Sequence, residues 1–289
     1  MILNTNAQAL LANNALWHRN NALAKASTNL STGTKINKSG DDPTGMAVSN
    51  KMRLQIKGIE VADRNVNDAV SLIQTAEASV GEMQNIAQRM RELSIQASTD
   101  TLTDDDRKLI QQEVEELVEE LDNMSERTEF NKKRLLNDDY EEFIFHTGND
   151  YRENLTVNFR PINSAVLGIS TKPARKYDDN GNAGRDMIDG IDYTTVEGAE
   201  EALERCDVAL DRISAYRSSL GANQNRLEKT SSALVISEEN VQAALSRVLD
   251  TDMAGEMSEY TKNNVLVQAG ISMLSQANQR PNQLLSLLQ

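Results

Sequence analysis

From Ile59 to Met90 the chain repeats apolar residues at alternating spacings of three and four, without a break: Ile59, Ala62, Val66, Ala69, Ile73, Ala76, Val80, Met83, Ala87 and Met90. That alternation is the a/d seam of a coiled coil, because it keeps one face of an α-helix turned toward a partner turn after turn. A helix running from about 46 to 98 would be about 80 Å long at ~1.5 Å per residue. Few compact domains need such an element, so the seam points to a rod-like helical bundle.

The rest of the chain supplies matching helices. Ile110, Val114, Leu117, Leu121 and Met124 share one face of a second helix, with its cap expected among Asp104, Asp105 and Asp106, whose carboxylates can accept from free first-turn N–H groups. Leu203, Cys206, Leu210, Ile213, Leu220 and Leu227, continued by Leu234, Val241, Leu245 and Val248, predict one helix over about 198–250. The N-terminal end repeats apolar pairs every seven residues: Ile2-Leu3, Ala9-Leu10, Leu16-Trp17 and Leu23-Ala24, then Leu30. The C-terminal end offers Val267, Ile271, Leu274, Leu285 and Leu288, with a bend expected at Pro281. Each terminal stripe is too narrow to hold a helix alone in water, so the two ends read as halves of a coiled coil.

Non-helical punctuation is sparse. In "SGDDPTG" (39–45), Gly40 is expected to end the first helical stretch, and Asp42-Pro43 to cap and open the next. "YEEFIFHTGNDYRENLTVNF" (140–159) reads as two short strands around a Gly-Asn-Asp turn, and "ARKYDDNGNAGRD" (174–186) as a loop. The fold class is therefore mainly α: long coiled-coil-like helices in a rod bundle, a small β-hairpin region, and paired terminal helices.

Composition narrows the function. Aromatics make up 4% of the residues and the net charge is −14, which argues for thin helix-on-helix seams and against nucleic acid as a partner. The acidic run "EVEELVEELDNMSE" reads as a solvated helix face. "DDNGNAGRDMID" has calcium-like oxygens at Asp178, Asn180 and Asn182, but Ala183 stands where the sharp turn needs Gly and Asp189 where the longer Glu is needed. His18 and His146 have no ligand-forming neighbours at metal-site spacing, and Cys206, on the seam, reads as a small buried hydrophobe. No catalytic, cofactor or metal site is expected, and the protein is read as a non-enzyme. No stretch approaches the ~18 apolar residues of a membrane span, and the start lacks a cleavable export signal.

One stretch carries more than the seam requires. In "AQRMRELSIQAS" (87–98), Arg89, Glu92, Leu93 and Gln96 share a second face by i, i+3, i+4 and i+7 spacing. With Ile59 at a, Arg89 and Gln96 fall at c, Glu92 at f and Leu93 at g. Two readings fit: a solvated surface with an Arg–Glu pair and a stray Leu, or a contact surface with exposed Leu93 as anchor inside a polar rim.

At both ends the residues resemble bacterial flagellin. The N-terminal resemblance runs through "MILNTNAQALLANNAL", "LSTGTKINKSGDDPTGMAVSNKMR" and "QRMRELSIQA" to "TEFNKKRLL". The C-terminal one covers "SLGANQNRLEKT", "DTDMAGEMSEYTKNNVLVQAG", "SMLSQANQRPNQ" and the closing "LLSLLQ". The resemblance implies an inner tube domain of paired terminal helices over 1–44 with 253–289. It implies an outer helical rod over 45–252, with a small β region at about 140–160 and a short loop at about 160–197 in place of large variable outer domains. It further implies a subunit exported by the flagellar type III apparatus and polymerised into an extracellular filament for motility. Implied partners are further copies of the chain, an export chaperone, and the filament cap and hook-associated proteins. Leu3, Leu10, Leu16, Leu23, Leu30, Val267, Ile271, Leu274, Leu285 and Leu288 would be the assembly residues of the terminal helices. Gln88, Arg89, Leu93 and Glu113 match the family's contact motif for host Toll-like receptor 5. The alternatives are a hook–filament junction protein and a secreted monomeric helical adhesin or ligand. Against the family pattern, Lys132 follows Asn131 where Gly is common, and Gln289 stands where many members end in Arg.

Overall fold

The computed structural model describes residues 6–136, 141–177 and 183–287, without the side chains of 141, 174–177, 183–188 and 281–287. Its helices are α1 (Ala7–Thr32), α2 (Pro43–Ala97), α3 (Asp104–Arg127), the short α4 (Ser164–Leu167), α5 (Val196–Leu249) and α6 (Met253–Leu287). Three separate antiparallel strand pairs join β1 (Glu129–Phe130) to β2 (Lys133–Arg134), β3 (Glu141–His146) to β4 (Asn154–Phe159), and β5 (Ala174–Tyr177) to β6 (Ala183–Ile188). The mainly α class read from the sequence is the class observed. Two compact units divide the chain, Gly58–Ser237 and Met1–Lys57 with Glu238–Gln289.

In the Gly58–Ser237 unit, all ten seam residues of α2 are at most 2% exposed. Burial also extends to the g row, where Leu72 and Leu93 are core residues and Ile86 packs against them. A two-helix coiled coil leaves g at its rim. Here α2 has partners on two sides, shown by polar contacts to α3 (Arg89 with Glu113) and to α5 (Arg91 with Asp207), and the apolar stripe widens accordingly. The e row is different in kind. Asp63 accepts from Ser231 at 2.6 Å, Gln84 and Glu77 accept from the Arg217 guanidinium at 2.7 and 3.4 Å, and Arg91 donates to Asp207 at 2.5 Å. Half-exposed pairs of this type contribute at most about 1 kcal/mol each, against about 1.5–3 kcal/mol for each fully buried Val, Leu, Ile or Met. The seam therefore supplies the stability, and the polar row selects which helix lies on that side.

The cap of α3 differs from expectation. The N-cap is Thr103, and Asp104, Asp105 and Asp106 form the first turn. The Thr103 hydroxyl accepts from the Asp106 N–H at 3.3 Å while the Asp106 carboxylate accepts from the Thr103 N–H at 3.1 Å. A hydroxyl one residue earlier closes this reciprocal box, which an aspartate row alone cannot. Buried Arg107 then folds back, donating to the carbonyls of Ala97 and Thr99 at 3.1 Å each, and so satisfies carbonyls at the end of α2. Ile110, Val114 and Leu121 are buried, and Leu117 and Met124 pack partly buried against the same core.

The first helical stretch likewise ends earlier than expected. Gly33, with φ of 71°, is the left-handed C-cap of α1, and Gly40 lies in the connector. The Asp42-Pro43 start is as read: the Asp42 carboxylate accepts from the Gly45 N–H at 3.0 Å, and α2 opens at Pro43. Asp41, Asp42 and Asp106 are all held below the usual carboxylate range. The cause is first the Lys25 ammonium for Asp41, the Gly45 N–H for Asp42 and the Thr103 hydroxyl for Asp106. A carboxyl with a depressed folded pKa stabilises fully above its unfolded pKa of about 3.9, and that stability is lost as pH falls through the folded value. The thermal midpoint is thus expected to stay level down to about pH 5 and to fall below about pH 4. Asp106→Asn should melt lower at neutral pH and lose less on acidification; if it keeps the parent's full acid drop, Asp106 is not part of the cause.

Around the bundle, the β elements close gaps. Asn131 and Lys132, the two-residue loop between β1 and β2, both have positive φ (50° and 65°), the backbone of a type I′ turn. Asn adopts it readily, whereas Lys132 does so at a cost that Gly would avoid. The β3–β4 hairpin forms as read, burying Phe143, Val157 and Phe159 and leaving Glu142, Ile144 and His146 outward. Its tip rests on α2: the Asn65 amide donates to the His146 carbonyl at 3.2 Å, and a Cβ at Gly58 would lie 1.7 Å from the Asn149 amide oxygen. Residues 160–197 are more than a loop. They hold α4 and the β5–β6 pair, where the sequence shows no alternation to announce strands, and Ile162, Leu167, Ile169, Ile191 and Tyr193 anchor the segment in the core. The Tyr193 hydroxyl accepts from Ser94 at 3.1 Å, and both hydroxyls lie 3.9 Å from the Cys206 sulfur. Burial pushes both the Tyr193 phenol and the Cys206 thiol up from their ordinary values.

In the other unit α1 and α6 run antiparallel. The Asn6 amide donates to the Ala277 carbonyl at 2.9 Å, Leu16 packs over Gly270, and the Asn29 amide donates to Glu256 at 3.2 Å. The connector after α1 pairs with the one after α5, Lys35 N–H to the Leu249 carbonyl at 2.7 Å and Thr251 N–H to the Gly33 carbonyl at 3.0 Å. Beneath it lies a small core of Ile36, Ile56, Leu245 and Leu249.

Candidate interface surfaces

The terminal helices pair along one side and leave the other open. In each apolar pair of α1 the first member, Ala9, Leu16 or Leu23, is partly buried, and so is Leu30. The second members, Leu10, Trp17 and Ala24, are exposed, Trp17 by 62%, and Leu11 beside them by 70%. On α6, Val267 and Leu274 lie partly buried, whereas Val265, Leu266, Ile271 and Met273 are exposed. A stripe two residues wide thus meets α6 with one column and presents the other. Of the expected assembly residues, Leu10 and Ile271 belong to the outward column, and Leu16, Leu23, Leu30, Val267 and Leu274 to the intramolecular one. Leu3 and Leu288 lie outside the described residues, as does the side chain of Leu285.

Leu93 is where the sequence reading of the second face fails. The expected exposed anchor is 1% exposed and part of the core, because the g row is covered by the widened bundle. The polar members stand as expected. Gln88, Glu92 and Gln96 are exposed, and the Arg89 guanidinium sits between two carboxylates, 2.8 Å from Glu113 and 3.2 Å from Glu92. These hydrogen bonds, Glu113's first, raise the Arg89 pKa further. Two exposed apolar residues in this part of the chain were passed over by the sequence reading. Ile95 on α2 and Leu109 on α3 are each exposed.

The acidic run is a solvated face as read, with Glu115, Glu116, Glu119 and Glu126 exposed. Among the described residues no helix is long and apolar enough to cross a membrane, and no group of three His, Cys, Asp or Glu could hold a metal ion. Asp178, Asn180 and Asn182 of the calcium-like segment lie outside the described residues.

Comparison with known proteins accounts for both ends of the chain. The family model of the bacterial flagellin N-terminal helical region matches residues 3–141, and that of the C-terminal helical region matches residues 203–288. The chain is 40% identical to a flagellin of Bacillus subtilis (strain 168) over 309 residues, covering 100% of each. It is 38% identical to flagellin FlaB2 of Treponema pallidum (strain Nichols) over 298 residues, again covering 100% of each. Among solved structures, Bacillus cereus flagellin matches with a TM-score of 0.46 at 24% identity, over 59% of this chain and 88% of that one.

Proposed function

This chain belongs to the bacterial flagellin family, and from that premise we propose how its surfaces serve the filament. As a flagellin it is a structural subunit of the extracellular flagellar filament, a compact member without large outer domains. In the proposal, 1–44 and 253–289 form the inner tube, and 45–252 forms the outer rod. The exported chains assemble for motility through contacts that repeat head to tail without closing into a ring.

The observation that carries this reading is the set of exposed large apolar residues on the terminal helices: Leu10, Leu11 and Trp17 on α1, with Val265, Leu266, Ile271 and Met273 on α6. The described residues leave each of these side chains between 39% and 70% exposed. Burying apolar surface against other copies is worth about 25 cal/mol per Å², a gain that adds to the narrow seam between the terminal helices. An export chaperone, the filament cap and the hook-associated proteins would meet the same residues at different stages.

Recognition by Toll-like receptor 5 is the second reading, and its support is the exposed set Gln88, Arg89 and Glu113 with the Arg89–Glu113 pair. In it Leu93 acts from beneath, setting the spacing of α2 under Arg89. Purified monomer added to filament fragments in ammonium sulfate, which favours burial, should elongate them into long tubes visible by electron microscopy. Persistent monomers with a folded rod would instead favour a hook–filament junction protein or a monomeric ligand.

A further inference from the structure

The tip of the β3–β4 hairpin carries more than its turn needs. The backbone there is closed by Thr147 N–H to the Glu153 carbonyl at 2.9 Å, Glu153 N–H to the Asp150 carbonyl at 3.3 Å, and Asp150 N–H to the Glu153 carboxylate at 3.1 Å. Asn149 of the same turn lies directly over Gly58 of α2, which fixes the tip in place. From this base Tyr151 projects with 88% of its surface exposed, more than any other large apolar or aromatic side chain described. Arg152 follows with φ of 76°, a left-handed backbone that L side chains rarely adopt. Its guanidinium lies 5.3 Å from the centre of the Tyr151 ring. Glycine or asparagine would take this backbone more readily, so the turn alone does not account for an arginine. Tyrosine and arginine are among the side chains that most often dominate contacts between proteins.

A second surface of the same Gly58–Ser237 unit has the opposite character. Between α3 and the residues after α4 lies a cleft of about 480 Å³, where five carboxylates stand against one cation, Lys172. Asp122 is engaged by the N–H and hydroxyl of Ser164. Glu116, Glu119 and Glu126 are exposed and, like Arg152, in no ion pair among the described residues. Buried Val118 and the hydroxyl of Thr171 also line the cleft. Like charges three and four apart on one helix repel, and a cation brought in from outside would relieve that. The chain's own tip does not supply it, because Tyr151 stands in solvent.

We propose that the Tyr151–Arg152 tip of one copy docks in the α3 cleft of a second copy. The guanidinium faces Glu116, Glu119 and Glu126, and the phenol ring enters the cleft against Val118. The two surfaces are unlike, which is the kind of contact from which open helical filaments are built, so the inference rests on the filament reading above. It adds a contact of the rod unit to those of the terminal helices.

The test uses full-length chains added to parent seeds. Arg152→Glu on the tip, and Glu116→Lys with Glu119→Lys in the cleft, each put like charges together. Each should raise the critical concentration for elongation about tenfold or more, and combining them in one chain should recover most of the loss. All these positions are exposed, so thermal midpoints should match the parent's. Geometry is read separately from Tyr151→Cys with Thr171→Cys: oxidised filaments should give a ladder of disulfide-linked chains, and oxidised monomer or either single variant none. Parental critical concentrations in both charge variants overturn the proposal, as do filaments of the cysteine pair that give no ladder. Loss in the cleft variant with Arg152→Glu at the parental value would give the cleft another cationic occupant, and overturns it too. So do two single losses that the combined variant does not recover. Failure of the parent chain to elongate seeds would instead sink the filament reading on which the contact rests.

Discussion

Chains ending at Asp252 are expected to remain monomeric where the full chain elongates seeds, with the rod helices still evident by circular dichroism. The deletion removes α6, a helix of 35 residues, and takes from α1 the helix it pairs with. Short isolated helices are marginal in water, because nucleation is unfavourable and ordering costs about 1–2 kcal/mol per residue. The lost helical signal is therefore bounded by α6 and the 26 residues of α1. The buried seam of α2, α3 and α5 is untouched and should keep its cooperative melt. Elongation should fall below detection, since half of the outward apolar column goes with α6. Truncated chains that extended seeds at the parental rate would sink the inner-tube account.

Replacing Leu93 by Ala is expected to lower the unfolding free energy of the rod by about 2–5 kcal/mol, the range for removing a buried Leu side chain. Arg89→Ala should change it by no more than about 1 kcal/mol, because the Arg89 pairs are half-exposed. Denaturant midpoints at constant slope would separate the two. The contrast decides how receptor data on this face should be read. Loss of binding in Leu93→Ala does not establish contact, because the helix carrying Gln88 and Arg89 loses its packing as well. Leu93→Met, close in volume, should keep most of the stability and most of any receptor binding. A Leu93→Ala protein as stable as the parent would mean that this side chain is not in the core.

The long helices were legible in the sequence because a period of 3.5 sustained for ten residues has one physical solution. The α2 seam was placed without error, from Ile59 through Met90. What lay beyond reach depended on the number of neighbours. Whether Leu93 at g is rim or core is decided by a third helix, and no periodicity within α2 encodes that helix. The N-cap of α3 was read to within a few residues, Thr103 for the aspartates after it, because several side chains there can accept the same N–H groups. The end of α1 was placed seven residues late, at Gly40 instead of Gly33, since either glycine can adopt the left-handed turn. On the second face the polar members were readable one by one. The Arg89–Glu113 pair was not, because the two residues meet only once Arg107 has closed the α2–α3 turn. In the terminal helices the doubled apolar stripe was visible, but its division between an inward and an outward column needed the antiparallel register.

The sealed position of Cys206 has a consequence that grows with copy number. A filament repeats one surface at very high local density, so a reactive group on that surface would meet itself continually in an oxidising exterior. The chain has one cysteine, and its sulfur is buried beneath Tyr193 and Ser94, where burial also keeps the proton on the thiol. The cysteine is therefore silent in the polymer: it offers oxidants no thiolate and forms no disulfides between neighbours, which leaves exposed Met253, Met257 and Met273 as the sulfur that ages.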